Sequence, residues 1–169
     1  YVTEATAEKV EAALAADGED PLPDYIDLPG YREGGGYRLL EDCHAGTTTA
    51  EAIVEALEAS ELRGLGGAGF PTGMKWRFVR QAPGPRLMAV NADESEPGTF
   101  KDRHFLTTDP HRFLEGMLIG AFAIEAEAIY IYLRDEYPDV RRMLEAELAT
   151  LSRLGLALPE IHLRRGAGA

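Results

Sequence analysis

The sequence predicts an α/β fold, a Rossmann-like partial parallel sheet with flanking helices, preceded by a helical and irregular N-terminal segment. Short apolar runs suited to strands buried on both faces stand at 86–91 (RLMAVN) and 128–133 (AIYIYL), and IHLR (161–164) reads as a third strand. Helical periodicity fills the intervals between them, and the order β-α-β-α-β is half of a doubly wound sheet. The length agrees: 169 residues suit one ordinary domain, able to bury roughly 68–70% of its unfolded surface.

Residues 4–16 read as an acidic helix with Ala7, Val10, Ala13 and Leu14 on one face and Gly18 after its end. Residues 18–37 are dense in Gly, Pro and Asp and read as a connector. A helix is expected from Thr48, where Thr48 and Glu51 have capping-box spacing. Ala50, Ile53, Val54 and Leu57 form its apolar face, and it should end near Leu62. Residues 1–62 thus form the N-terminal segment and 63–169 the α/β domain. After the first strand comes a polar loop, ADESEPGTFKDRHFLTT, and then a helix opened by Asp109 and Pro110. Leu114, Met117, Leu118 and Ala121 give that helix its core stripe. A further helix is expected from about Pro138 to Leu154, closed by Gly155.

Composition removes several functions. Lys plus Arg is 17 against 29 Asp plus Glu, a net charge of −12, which argues against binding a phosphate backbone. No apolar run approaches the roughly 20 residues a spanning helix needs, so no membrane insertion is expected. The one cysteine, Cys43, excludes a disulfide framework and any iron–sulfur cluster held by this chain alone. No signal-peptide pattern opens the sequence, which makes a cytoplasmic location the default. The first residue is Tyr1, which suggests an excerpt or a processed chain.

Two loops can carry chemistry. Gly64, Gly66 and Gly69 satisfy G-x-G-x-x-G, but a helix precedes them and Pro71 follows, the wrong context for the usual dinucleotide fingerprint. With Gly67, these glycines still let backbone N–H groups approach an anion closely, and Lys75 offers a charge partner. The bland alternative is a flexible linker or tight turn. The second loop, NADESEPGTFKDR (91–103), leaves the carboxyl end of a strand, where ligands of open α/β sheets sit. Asn91, Asp93, Glu94 and Glu96 offer acceptors suited to ribityl or ribose hydroxyls, or to a hard cation. On composition alone, the loop reads instead as a solvated acidic turn ended by Pro97-Gly98. Phe70, Trp76 and Phe78 can stack on a heterocycle or pack in the core, the commoner fate for Trp76. His104 and His111 lack metal-ligand spacing, Cys43 reads as an inert thiol, and Ser95 lies between two carboxylates that oppose a nucleophile. No catalytic side chain and no metal ligand are assigned.

Taken together, LRGLGGAGFPTGMKW (62–76), NADESEPGTFKDR (91–103) and DPHRFLEGML (109–118) are far more specific than either loop alone. They resemble the family of flavin-binding, NADH-oxidising subunits of respiratory complex I, NAD-reducing hydrogenases and NAD-dependent formate dehydrogenases. The likeness runs from about Gly30, in GYREGGGYRLL, to the last residue. Leu65 stands where complex I members usually carry Arg, and Ser95 where many carry Gly. RLMAVN, FLEGMLIG and IYLRDEYP resemble the beta subunit of formate dehydrogenase.

The resemblance implies that Gly64, Gly66, Gly67 and Lys75 contact FMN, and that Asn91, Asp93 and Glu94 hold its ribityl chain and ring. Phe70, Phe78 and Glu96 would face NADH. The implied reaction is hydride transfer between NAD(H) and FMN, with electrons exchanged singly with iron–sulfur centres of partner subunits. The chain ends at RRGAGA, where the family continues into a Tyr-Ile-Cys-Gly-Glu-Glu segment and a cysteine-rich domain. A partial flavin site is therefore expected here, with the 4Fe-4S cluster in that further part. A non-catalytic structural remnant is the alternative.

Overall fold

The computed structural model describes Thr6, residues 22–65 and residues 68–166. The helix expected over 4–16 lies outside the described residues. Three parallel strands, β1 (Leu87–Ala92), β2 (Ala128–Arg134) and β3 (Glu160–Gly166), form a sheet in the order β1-β2-β3. The expected β-α-β-α-β order is present.

Ahead of the sheet lie α1 (Leu28–Glu33), α2 (Arg38–His44), α3 (Ala50–Ala59) and α4 (Thr72–Gln81). Between β1 and β2 run α5 (Lys101–Thr108) and α6 (Pro110–Ile124); α7 (Pro138–Thr150), with a 3-10 turn at 151–154, joins β2 to β3. Asp109 caps α6 through Arg112 N with Pro110 at the helix start, as its sequence predicts. Leu114, Met117, Leu118 and Ala121 are all buried. Gly155 closes the 3-10 turn after α7 at φ +67°.

Four expectations need correction. The strands are not buried on both faces: α6 and α7 share one core with Ile129, Ile131 and Leu133. The opposite face carries Leu87, Tyr132 and a stacked Tyr130–His162 pair, so β1 alternates between exposed and covered positions. Within the supposed connector, Asp27 accepts from Gly30 N and starts α1, and α2 follows at Arg38. Helix α3 is capped by Thr49, whose hydroxyl accepts from Ala52 N, and ends at Ala59 rather than Leu62. Two helices, α4 and α5, occupy stretches that read as loop, because glycine and proline ahead of them masked their starts.

Glycines 36 and 73 are required by packing. A Cβ at Gly36 would stand 2.1 Å from the Tyr31 ring, and one at Gly73 would meet Glu58 N at 2.7 Å and Val54 O at 3.0 Å. Gly73 therefore lets α4 lie against α3. Exposed pairs of Arg77 with Glu51 and Glu58 join the same two helices.

Residues 22–44 are fastened by a buried polar network. Tyr37 lies at φ +66° with no exposed surface, and its hydroxyl is 2.8 Å from His111 Nδ1. His111 Nε2 is 2.7 Å from Glu147, which also accepts from Tyr25 at 2.7 Å and from Thr150 at 3.2 Å. Tyr31 donates to Glu115 at 2.6 Å. Because Glu147 is the acceptor at Nε2, the ring's proton sits there and Nδ1 accepts from Tyr37. His111 thus sits in the first turn of α6 and ties that helix to Tyr37 and Glu147.

Candidate functional site

The glycine loop is closed at its base. Thr72 N donates to Leu62 O at 2.8 Å, Gly64 N to Phe70 O at 3.0 Å, and Arg63 Nη1 to Gly69 O at 3.0 Å. Leu65 near the tip is 97% exposed, while Gly66 and Gly67 lie outside the described residues. At Gly64 a Cβ would find only Phe70 O, at 3.8 Å, so packing within the described chain does not demand glycine there. Close approach of a ligand would.

Helix α4 follows the loop at once, its N-cap Pro71 making no side-chain cap hydrogen bond. Lys75 is exposed on α4 and makes no ion pair among the described residues. Phe78 is one turn further on, and its ring lies 6.3 Å from that of Phe70. These two rings are 55% and 45% exposed, which leaves stacking surface open. Trp76 instead packs with Cys43, Ile53 and Ala123, the core fate its size favours.

Two contacts orient α4. Arg80 pairs with Glu125 at the end of α6, and the Trp76 ring lies against Gly120 of α6. The two helices therefore run the same way, from the carboxyl end of the sheet towards its amino end. The glycine loop at the start of α4 accordingly sits towards the end from which the acidic loop leaves β1. No hydrogen bond or ion pair joins the two loops among the described residues.

Within the acidic loop, Asn91 Oδ1 accepts from Asp93 N at 2.9 Å, fixing a side-chain-to-backbone turn. Asp93 Oδ1 is buried with no hydrogen-bond partner among the described residues. Glu94 is 5% exposed and accepts from Asp102 N at 3.0 Å and Arg103 N at 3.2 Å, capping α5. Burial opposes its charge, but these N–H groups and Tyr137 prevail and hold the carboxyl below its usual range. Glu96 is exposed, its carbonyl accepting from Thr99 N at 3.2 Å. Asn91 and Asp102 line a cavity of about 260 Å³ with Phe105 and Phe113. A larger hollow, about 670 Å³, shares Asp109 and Arg112 with it and lies between α1, α2 and α6.

The structure thus gathers Phe70 with Phe78, and Asn91 with Asp93, while turning Glu94 inward to a helix start. Sequence reasoning missed that role because α5 itself was missed. Among the described residues no group of three or more His, Cys, Asp or Glu is arranged to hold a metal ion, and no helix is long and apolar enough to cross a membrane. Cys43 is buried, and burial pushes its thiol up, away from reactive thiolate.

Residues 57–169 match the model of the Nuo51 FMN-binding domain family. The chain is 46% identical over 158 residues to an NADH-quinone oxidoreductase subunit of Rhizobium meliloti (strain 1021), covering 88% of this chain and 37% of that protein. It is 45% identical over 148 residues to an NADH-quinone oxidoreductase subunit of Aquifex aeolicus (strain VF5), covering 82% and 34%. Among solved structures, an NAD+-reducing [NiFe]-hydrogenase in the H2-reduced state matches with a TM-score of 0.72 at 32% identity, over 98% of this chain and 32% of that one. The chain thus spans about a third of the length of these relatives.

Proposed function

The chain belongs to the Nuo51 FMN-binding domain family, and from that premise we propose that it is the flavin-binding, NADH-oxidising part of a multi-subunit redox complex. The observation that carries this reading is Asp93 Oδ1, a buried acceptor without a donor. Such a group is costly to leave unmatched, and a hydroxyl-bearing ligand would match it. FMN fits the rest of the donor set. The backbone of Gly64, Gly66 and Gly67 and the ammonium of Lys75 suit its phosphate or electron-rich ring. Asn91 and Asp93 suit its ribityl hydroxyls, with Glu94 holding the loop beneath. Phe70, Phe78 and Glu96 would receive the dinucleotide, the rings against adenine and the carboxylate against a hydroxyl or amide.

When bound, FMN supplies the hydride chemistry and the change from two-electron to one-electron transfer. The chain's own work would be alignment and charge: Lys75 would set a positive charge beside the cofactor and the carboxylates negative ones. Iron–sulfur centres that exchange electrons with it belong to other residues or subunits, because Cys43, the one thiol in the sequence, is buried. NAD(H), a dissolved dinucleotide, goes with a cytoplasmic setting.

For the assembly, we propose an NAD-dependent formate dehydrogenase, this chain resembling its beta subunit in RLMAVN, FLEGMLIG and IYLRDEYP. The names of its relatives favour a second reading, the flavin subunit of an NADH-quinone oxidoreductase or of an NAD-reducing hydrogenase. The intact complex tests both levels. It should contain stoichiometric FMN that NADH bleaches; a colourless complex would remove the flavin reading. Formate, hydrogen and quinone, offered separately as redox partners for NAD(H), then decide the assembly.

A further inference from the structure

The turn after β2 carries two residues outside both site loops, Arg134 and Tyr137, and both reach back to the acidic loop. Arg134 closes β2, and its Nη1 donates to the backbone carbonyl of Glu94. Tyr137 precedes α7, and its hydroxyl donates to Glu94 Oε2 at 3.3 Å. The same carboxylate already accepts from the first turn of α5, from Asp102 N and Arg103 N. Arg134 and Arg103 face the Tyr137 ring, their guanidinium carbons 5.6 Å and 5.8 Å from its centroid. Residues from the end of β2, the start of α7 and the start of α5 therefore converge on Glu94.

That convergence fixes more than Glu94. Asp93 is tied on one side to Asn91 Oδ1 through its own N–H, and on the other it is joined to a residue held by both carbonyl and carboxylate. It has little freedom left, yet its Oδ1 stays buried and unpartnered. An acceptor held in place before a ligand arrives saves the ordering entropy that a loose loop would lose on binding.

We propose that Arg134 and Tyr137 are positioning residues for the flavin site: by fixing Glu94 they present Asp93 Oδ1 and Asn91 as preorganised acceptors for the hydroxyl-bearing chain of the cofactor. The inference rests on the flavin reading above. It predicts that the two residues act on cofactor affinity without touching the cofactor. Tyr137→Phe keeps the ring and its cation contacts and removes only the donor to Glu94. Arg134→Lys keeps the charge but loses the fork that serves Glu94 O and Glu136 together.

The test uses the intact complex, stripped of flavin and titrated with FMN by fluorescence quenching, alongside thermal melting. The control is Tyr25→Phe, which removes a comparable tyrosine-to-glutamate bond within the His111 network. Tyr137→Phe should raise the FMN dissociation constant about tenfold, with a melting shift no larger than that of Tyr25→Phe. Tyr25→Phe should leave FMN affinity within about twofold of the parent. Arg134→Lys should bind FMN better than Arg134→Met. Glu94→Gln and Tyr137→Phe combined should be non-additive, because both act through one contact. Unchanged FMN affinity in Tyr137→Phe, or effects that simply multiply in the double variant, would overturn the inference. If the unmodified protein takes up no FMN, the flavin reading itself fails, a result distinct from either.

Discussion

The tyrosine–glutamate network around His111 and the loop rim around Asp93 draw on the same chemistry, carboxylates meeting hydrogen-bond donors, but they close it differently. In the first, Tyr25, Tyr31, Tyr37, His111, Glu115 and Glu147 are matched to one another at 2.6–2.8 Å. In the second, Glu94 is matched while Asp93 Oδ1 is buried alone and Lys75, Phe70 and Phe78 face solvent. A closed network fixes structure; an open one stores an unmet demand that a ligand can satisfy. The difference separates a fastening from a site more sharply than residue type does.

Removing the centre of the closed network should have the largest effect. His111→Leu takes one donor from Glu147 and the acceptor from Tyr37 in the core, and leaving such buried groups unmatched costs about 1–3 kcal/mol each. Denaturant unfolding should show that loss, while FMN bound per folded molecule stays constant. A fall in flavin stoichiometry among folded molecules would mean that the two regions are not independent.

The reverse separation is expected at the glycine loop. Gly66→Val puts a branched side chain where a ligand's approach is proposed, and should weaken FMN retention at least a hundredfold, about 2.7 kcal/mol, with little change in melting temperature. Normal flavin content in that variant would remove the glycine loop from the site.

How far each region could be read from sequence follows from the same contrast. The sheet order and the α6 core stripe were legible because strand runs and helical spacing are local signals. The His111 network was not: Tyr25 and Glu147 are 122 residues apart, and nothing local marks them as partners. Helices α4 and α5 were hidden behind Pro71 and behind Pro97-Gly98, which read as loop signals. The two candidate loops stood out as motifs, because close backbone approach to a ligand would need glycine and hydroxyl recognition would need acceptors. That Glu94 faces inward could not be read without α5, whose N–H groups it accepts.

A smaller effect distinguishes the two carboxylates of the acidic loop. Glu96 is exposed and proposed to face the dinucleotide, so Glu96→Gln should raise the Michaelis constant for NADH about tenfold and leave bound flavin unchanged. Loss of flavin with intact nucleotide kinetics would reverse the roles assigned to Glu94 and Glu96.

The smallest expected effect is in pH dependence, where Tyr25 and Glu94 act at opposite ends. Burial and the neighbouring Glu147 push Tyr25 from 10.0 up to about 12, and burial with nearby Glu115 raises Tyr31 and Tyr37 as well. A raised folded pKa means that the folded chain keeps a proton the unfolded chain has lost. The stabilisation is therefore complete below pH 10 and disappears as pH climbs through about 12. Tyr25→Phe removes one of these groups and should flatten the alkaline fall by less than about 1.4 kcal/mol per pH unit, since Tyr25 keeps some solvent contact. Glu94 has the opposite sign. Its lowered folded pKa contributes stability above the ordinary carboxyl value, and that contribution is lost as pH falls through the folded value. Glu94→Gln should then flatten the acid limb and, by releasing Tyr137 from the carboxylate that helps raise it, part of the alkaline limb, whereas Tyr25→Phe should flatten the alkaline limb alone. A flattened acid limb in Tyr25→Phe would show that the two clusters titrate as one unit, and the division drawn between them would have to be abandoned.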